Sequence, residues 1–139
     1  MQVVYTASAT ATGDARNGHV RSSDGVLDFD LAVPKEMGGP GGALTNPEQM
    51  FAAGYAACFH SALKAVAGRE KITLTDTAIT VDIGIGSNGQ GGFGLQATIE
   101  AEIPSVDEAT ARRLLEAAHQ VCPYSNATRG NIEVTLNLA

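Results

Sequence analysis

Residues 47–68 read PEQMFAAGYAACFHSALKAVAG, and this stretch decides the fold class. Its larger side chains recur at helical spacing, at Phe51, Tyr55, Cys58, Ala62 and Val66. No charged residue lies between Glu48 and Lys64, which indicates that most of the helix circumference is buried. Gly68 is expected to end the helix. The sequence therefore predicts a central buried helix.

The start of this helix is marked by the segment Thr45-Asn46-Pro47-Glu48. It offers a capping residue, a proline at the first helical position and an early acid. Thr45 and Glu48 have the spacing of a capping box, which would explain the acid without any catalytic role.

Three strands are expected before the helix. The first covers residues 2–12, the second residues 19–22 and the third residues 26–33. Asn17-Gly18 is predicted to form a two-residue hairpin turn, and Asp24-Gly25 a second turn. Residues 34–47 are rich in proline and glycine and are expected to form a loop.

Two strands, a helix and a last strand are expected after it. The strands cover residues 77–86 and 93–103, with a hairpin loop between them. The second helix, residues 107–121, is amphipathic, and residues 131–138 alternate as the last strand. The order βββ-α-ββ-α-β predicts an α+β fold of antiparallel sheets, and 139 residues suit a single domain, 1–139.

The composition limits the kinds of partner that the protein is expected to bind. The net charge is −6 with a pI of about 4.9, and no basic cluster occurs, so nucleic acid and anionic membranes are not expected to bind. No signal-peptide pattern opens the chain and no apolar run is long enough to span a membrane, so we expect a cytoplasmic protein. Aromatic residues make up only 5%, which leaves room for a homo-oligomer interface to supply burial.

The chain has two cysteines, Cys58 and Cys122. In a reducing compartment a structural disulfide is not expected, and a transient catalytic pair is one interpretation. The alternative is that Cys58 is a small buried hydrophobe, since free cysteine is among the most buried residue types. Apolar burial would raise the pKa of the thiol, so a reactive Cys58 needs a nearby cation.

Other motifs give weaker indications of function. GIGSNG at residues 84–89 matches a dinucleotide fingerprint, but a strand rather than a helix follows, which favours a hairpin loop. A metal site at His119-x-x-Cys122 lacks further paired ligands, so none is expected. His60 points about 200° away from Cys58 on a helix and is a poor base for it, whereas His119 stays possible without independent support.

Two segments resemble the cysteine signatures of the organic hydroperoxide resistance proteins, the Ohr branch of the Ohr/OsmC superfamily of thiol peroxidases. They are TNPEQMFAAGYAACF at residues 45–59 and HQVCPYSNATRGN at residues 119–131. The resemblance covers essentially the whole chain, including VRSSDGVLDFDL, GGPGGALTNPEQ and GGFGL.

The resemblance implies a role for each site residue. Cys58 matches the peroxidatic cysteine, Cys122 the resolving cysteine and Glu48 the acid of the site. Arg16, in DARNG, matches the site arginine by its place just before the glycine of the first hairpin, although the residues before it differ from the family's commoner Gly-Gly pair, and Arg21 is its rival. The fold it implies is an intertwined homodimer with sites at the interface.

The resemblance also implies the chemistry. The substrates are organic hydroperoxides, no cofactor is bound, and dihydrolipoyl groups of lipoylated proteins supply electrons. A rival is the osmotically inducible branch of the superfamily, which prefers other peroxides. A second rival is a non-enzymatic redox sensor whose cysteines oxidise once.

Physical reasoning adds expectations to these roles. Arg16 would stabilise the Cys58 thiolate and be oriented by a bidentate pair with Glu48. Cys122 should lie with its Cα within about 7 Å of that of Cys58, and Pro123 should end the preceding helix. Glu48 and Cys58 are about 15 Å apart along one straight helix, so we expect Glu48 of one subunit to approach Cys58 of the other.

Overall fold

The computed structural model describes all 139 residues. They divide into two compact units, Met1–Met50 and Phe51–Ala139, and the single-domain assignment stays a prediction. The strands are β1 (Ala9–Thr12), β2 (His19–Ser22), β3 (Asp28–Asp30), β4 (Ala78–Ser87), β5 (Phe93–Glu102) and β6 (Glu133–Leu138). The helices are α1 (Pro47–Arg69), α2 (Glu108–Val121) and α3 (Pro123–Thr128). The α+β class is confirmed.

The first unit contains the antiparallel sheet β1-β2-β3. Strand β2 is as predicted, whereas β1 and β3 are shorter than expected because residues beyond them have no strand partner within the sheet. The predicted two-residue turn at Asn17-Gly18 is wrong. Thr12 pairs with His19, and a 3-10 turn lies between them. The Asn17 side chain instead accepts a hydrogen bond from the Val33 N–H at 2.9 Å.

Helix α1 begins at Pro47 as predicted, but its cap differs. Asn46 Oδ1 accepts the Gln49 N–H at 2.8 Å, so Asn46 rather than Thr45 is the capping residue. Gly68 does not end the helix, which continues to Arg69. The chain turns at Lys71, which adopts a left-handed backbone with φ of 57°.

The second unit contains the sheet β4-β5-β6. Strands β4 and β5 form the predicted antiparallel hairpin over Ala78–Glu102. The expectation of antiparallel pairing throughout is wrong for β6, which runs parallel to β5. A parallel return needs a long crossover, and α2 and α3 supply it.

The core of the second unit lies between the helices and the sheet. Its fully buried large side chains include Phe59 and Leu63 from α1, Ile99 from β5 and Leu114 from α2. The predicted burial of most of α1 is only partly right, because one face stays exposed in the isolated chain. That face carries small residues, Ala53, Ala57, Ser61 and Ala65. No helix combines the length and apolar content that crossing a membrane requires.

Candidate active site

The two cysteines come together in the second unit. Cys122 Sγ lies 3.7 Å from Cys58 Sγ, and both are free thiols. Cys58 is half-buried on α1, whereas Cys122 is completely buried between α2 and α3. A disulfide needs the sulfurs at about 2 Å, so bond formation requires a further approach of about 1.7 Å. The pair is placed for disulfide chemistry.

The surroundings of Cys58 in this unit favour the neutral thiol. Burial raises its pKa most, while the backbone N–H of Tyr124 lowers the pKa. The adjacent Cys122 thiol raises the pKa of Cys58 further. Because the thiolate is the nucleophile, this environment alone keeps Cys58 in its unreactive form.

Helix α3 is the element that the sequence did not predict. The sequence predicts no helix between the second helix, which ends at residue 121, and the last strand, but Pro123–Thr128 is helical with Pro123 at its start. Cys122 lies at the junction with an extended backbone, φ −63° and ψ 123°, and belongs to neither helix. Pro123 therefore ends α2 as predicted and also begins α3, a common place for proline.

Tyr124 packs against α1 where glycine leaves space. A Cβ on Gly54 would lie 3.0 Å from the Tyr124 hydroxyl oxygen and 3.3 Å from its ring. Gly54 is one helical turn before Cys58, so the Tyr124 ring approaches α1 on the same face as the cysteine. Tyr124 also contacts the rings of Phe51 and Tyr55, with centroids 6.0 and 5.7 Å apart.

Arg16 and Glu48 pair within the first unit. Arg16 Nη1 and Nη2 donate to the two carboxylate oxygens of Glu48 at 2.9 and 2.8 Å, a bidentate geometry. The bond with Arg16 holds the pKa of Glu48 below its usual range, and the same bond raises the pKa of Arg16. Glu48 is thus an ion-pair partner rather than the back-bonding member of a capping box. Arg21 has a different partner, with Nε 3.6 Å from Asp28.

The histidines near the cysteines have partners of their own. His60 Nε2 bonds with Thr77 Oγ1 at 2.7 Å, in agreement with its predicted direction away from Cys58. His119 Nδ1 bonds with Ser125 Oγ at 2.8 Å. Burial, and then the positive charge of Arg129, lower the pKa of His119. No cluster of three or more potential metal ligands occurs.

The geometry thus joins the four predicted site residues into two pairs, one in each unit. Sequence reasoning missed the Tyr124 amide and the buried hydroxyl groups beside Cys122. Pro123 could have indicated α3, because proline is common at the first position of a helix.

Comparison with known proteins agrees with this fold. The family model of OsmC-like proteins matches residues 39–137. The fold and the paired thiols therefore define an OsmC-like protein.

Individual relatives identify a narrower group within the OsmC-like family. The organic hydroperoxide resistance protein of Xanthomonas axonopodis pv. citri is 55% identical over 99% of this chain and 96% of its own. The crystal structure of such a protein from Elizabethkingia anophelis matches with a TM-score of 0.95 and 53% identity, over 100% of this chain and 99% of that one. The one from Legionella pneumophila gives 0.94 and 47%, over 99% of both chains. The chain belongs to the organic hydroperoxide resistance proteins of the OsmC-like family.

Proposed function

We propose that the protein is a thiol peroxidase that reduces organic hydroperoxides to alcohols with Cys58 as nucleophile and Cys122 as resolving thiol. The observation that carries the proposal is the 3.7 Å separation of the two sulfurs, with Cys122 fully buried. A buried second thiol in contact with the first can trap an oxidised sulfur before a further peroxide reaches it.

The first step is attack of the Cys58 thiolate on the peroxide oxygen that becomes sulfenic. The O–O bond breaks, the alkoxide leaves and takes a proton, and Cys58 becomes a sulfenic acid. Negative charge moves from sulfur to the departing oxygen, so a fixed cation accelerates the step. Arg16, held by both oxygens of Glu48, is our candidate for that cation.

A second subunit is part of the proposal. The causes that raise the pKa of Cys58 lie in its own unit, and the tyrosine amide opposes them only in part. Helix α1 is continuous from Pro47 to Arg69, so Glu48 and Cys58 of one chain are about 15 Å apart along its axis. The exposed small-residue face of α1 is consistent with helix packing in a homodimer. We therefore propose that the Arg16–Glu48 pair of one subunit serves Cys58 of the other.

The second step forms the disulfide. The Cys122 sulfur attacks the Cys58 sulfenic acid, and the hydroxyl group leaves with the thiol proton as water. Two electrons and two protons from a dihydrolipoyl group then restore both thiols by thiol–disulfide exchange. No bound cofactor is required, and a lipoylated protein is the proposed reductant.

A lipoamide-coupled assay tests the proposal with cumene hydroperoxide, tert-butyl hydroperoxide and hydrogen peroxide. Wild type should turn over the organic peroxides many times, Cys58→Ser should be inactive, and Cys122→Ser should accumulate oxidised Cys58. A single oxidation without turnover would favour a redox sensor. Preference for hydrogen peroxide would favour the osmotically inducible branch. Full activity of Cys58→Ser would overturn the mechanism.

A further inference from the structure

Four polar side chains from three helices meet beside the cysteine pair. The Tyr55 hydroxyl of α1 lies 2.9 Å from Ser125 Oγ and 3.1 Å from Thr128 Oγ1, both on α3. His119 of α2 bonds with the same Ser125 Oγ at 2.8 Å. Tyr55 and Ser125 are completely buried, and Thr128 is 5% exposed. Burying hydroxyl groups is unfavourable unless they are bonded, so this cluster, which we call the hydroxyl network, holds its members together.

The hydrogen atoms of the hydroxyl network have one arrangement that uses every contact. Thr128 Oγ1 lies 3.2 Å from the Ser125 carbonyl, which can only accept. Tyr55 must then donate to Thr128, and Ser125 must donate to Tyr55. Ser125 Oγ is left to accept, so His119 carries a hydrogen on Nδ1 and donates it. The chain of donors runs from α2 through α3 to α1 and back to α3.

The hydroxyl network fixes two groups near Cys58, the Cys122 thiol and the Tyr124 backbone. Cys122 directly precedes α3, with its N–H bonded to the Ala118 carbonyl and its own carbonyl accepting from Asn126, each at 2.9 Å. Tyr124, whose backbone N–H lowers the pKa of Cys58, lies in the first turn of α3. A shift of α3 on α1 would move both groups. The hydroxyl network resists that shift because Tyr55 belongs to the same helix as Cys58.

We propose that His119, Ser125, Tyr55 and Thr128 are positioning residues that hold Cys122 against Cys58 and so favour the disulfide over the separate thiols. The inference rests on the proposed function for its biological role, because a well-placed Cys122 would intercept the sulfenic acid before over-oxidation. The geometric claim itself concerns only the thiol pair.

Equilibration of the whole protein with glutathione measures this placement. One oxidised glutathione and the two protein thiols exchange to the Cys58–Cys122 disulfide and two reduced glutathiones, so atoms and electrons balance. The equilibrium constant of this exchange measures the effective concentration of one protein thiol at the other. Tyr55→Phe and Ser125→Ala each remove two hydrogen bonds of the hydroxyl network and should each lower this constant by about tenfold or more.

A matched pair of variants at His119 separates the loss of the hydrogen bond from a general loss of folding. In His119→Asn the amide nitrogen takes the place of Nδ1 and can donate, whereas His119→Leu cannot. The Asn variant should stay within about twofold of wild type and the Leu variant should fall about tenfold. Thr77→Val is the control, because it removes a similar bond between α1 and its surroundings, to His60, without involving α3. Circular dichroism and urea unfolding report whether each variant is folded.

The outcomes separate the two claims. Equal constants in wild type, Tyr55→Phe and His119→Leu would overturn the positioning role, as would an equal loss in Thr77→Val. With tert-butyl hydroperoxide, the network variants should slow disulfide formation more than sulfenic acid formation. If wild type does not react with the hydroperoxide at all, the proposed function fails, and the glutathione constants still decide the positioning role.

Discussion

The two units of the chain differ in the surroundings of their candidate site residues, which are buried and uncharged in one unit and ion-paired in the other. In Phe51–Ala139 the cysteine pair lies in a buried region without ion pairs, surrounded by hydroxyl groups and apolar side chains. In Met1–Met50 the buried apolar residues are only Leu31 and Ala32, and the Arg16–Glu48 pair is charged and bidentate.

Under the proposed function, this difference implies that neither unit alone is sufficient for peroxide chemistry. The unit with the nucleophile raises the pKa of Cys58 through burial and so keeps the sulfur protonated. The unit with the cation contains no thiol. Reactivity under the proposed function therefore depends on an assembly in which the charge of one unit compensates the burial in the other.

The largest expected effect is on stability and concerns the core of the second unit. Leu114 is fully buried, whereas Leu44 of the first unit is 48% exposed. Leu114→Ala should lower the free energy of unfolding by about 2–5 kcal/mol, because it removes buried methyl groups and leaves a cavity. The same truncation at Leu44 should cost only about 0.5 kcal/mol. Urea unfolding measures both, and a similar cost at Leu44 would show that a partner covers it.

The next effect is kinetic and concerns the cation. Arg16→Met should slow the oxidation of Cys58 by tert-butyl hydroperoxide about a hundredfold, since the developing oxyanion loses a fixed donor. Arg16→Lys should restore little, because one ammonium group cannot reproduce the bidentate pair. Stopped-flow measurement of sulfenic acid formation gives the rate.

Arg21 provides the matched control for this experiment. Its side chain is 60% exposed and its Nε lies as far as 3.6 Å from Asp28, so the guanidinium is weakly held. Arg21→Met should leave the rate of Cys58 oxidation within about twofold of wild type. A hundredfold loss at Arg21 together with normal rates at Arg16 would reverse the assignment.

Removing the acid should have a smaller effect than removing the cation. Glu48→Gln keeps one hydrogen bond to Arg16 and should slow Cys58 oxidation about tenfold. The stability lost in this variant should depend on pH with a definite sign. The pKa of Glu48 is lowered by Arg16, so its contribution is present above the usual glutamate range and is lost as the pH falls below it. Unfolding of both forms between neutral and acidic pH tests this, and a difference that grows in acid would contradict it.

The sequence predicts most elements of the second unit because their patterns are local. Residues Ala78–Glu102 form the expected hairpin, and Asp107 caps α2 through a 2.7 Å bond from the Thr110 N–H. The turn at Asn17 was not predictable in this way. Its side chain is committed to Val33, sixteen positions away, and no local rule contains that contact.

The expected pairings of the candidate site, Arg16 with Glu48 and Cys58 with Cys122, are found, but the side chains around them were not predictable. The resemblance supplied Cys58, Cys122, Arg16 and Glu48 together. The bond partners of Tyr55 lie seventy or more positions away, so sequence spacing could not reveal the hydroxyl network.

The smallest expected effect concerns His19 on β2, whose ring lies between two acids of β3. Nδ1 is 2.7 Å from Asp30 and Nε2 is 2.5 Å from Asp28, and these bonds raise the pKa of His19, that with Asp30 most. A raised pKa means that the stabilisation is full below about pH 6.5 and is lost as the pH rises through the folded-state value. His19→Gln should therefore be slightly less stable than wild type at pH 5.5 and equal to it at pH 9 in urea unfolding. A difference that persists at high pH would show that the ring stabilises the sheet by packing rather than by charge, and the contrast between the ion-paired first unit and the buried cysteine region of the second would be weaker.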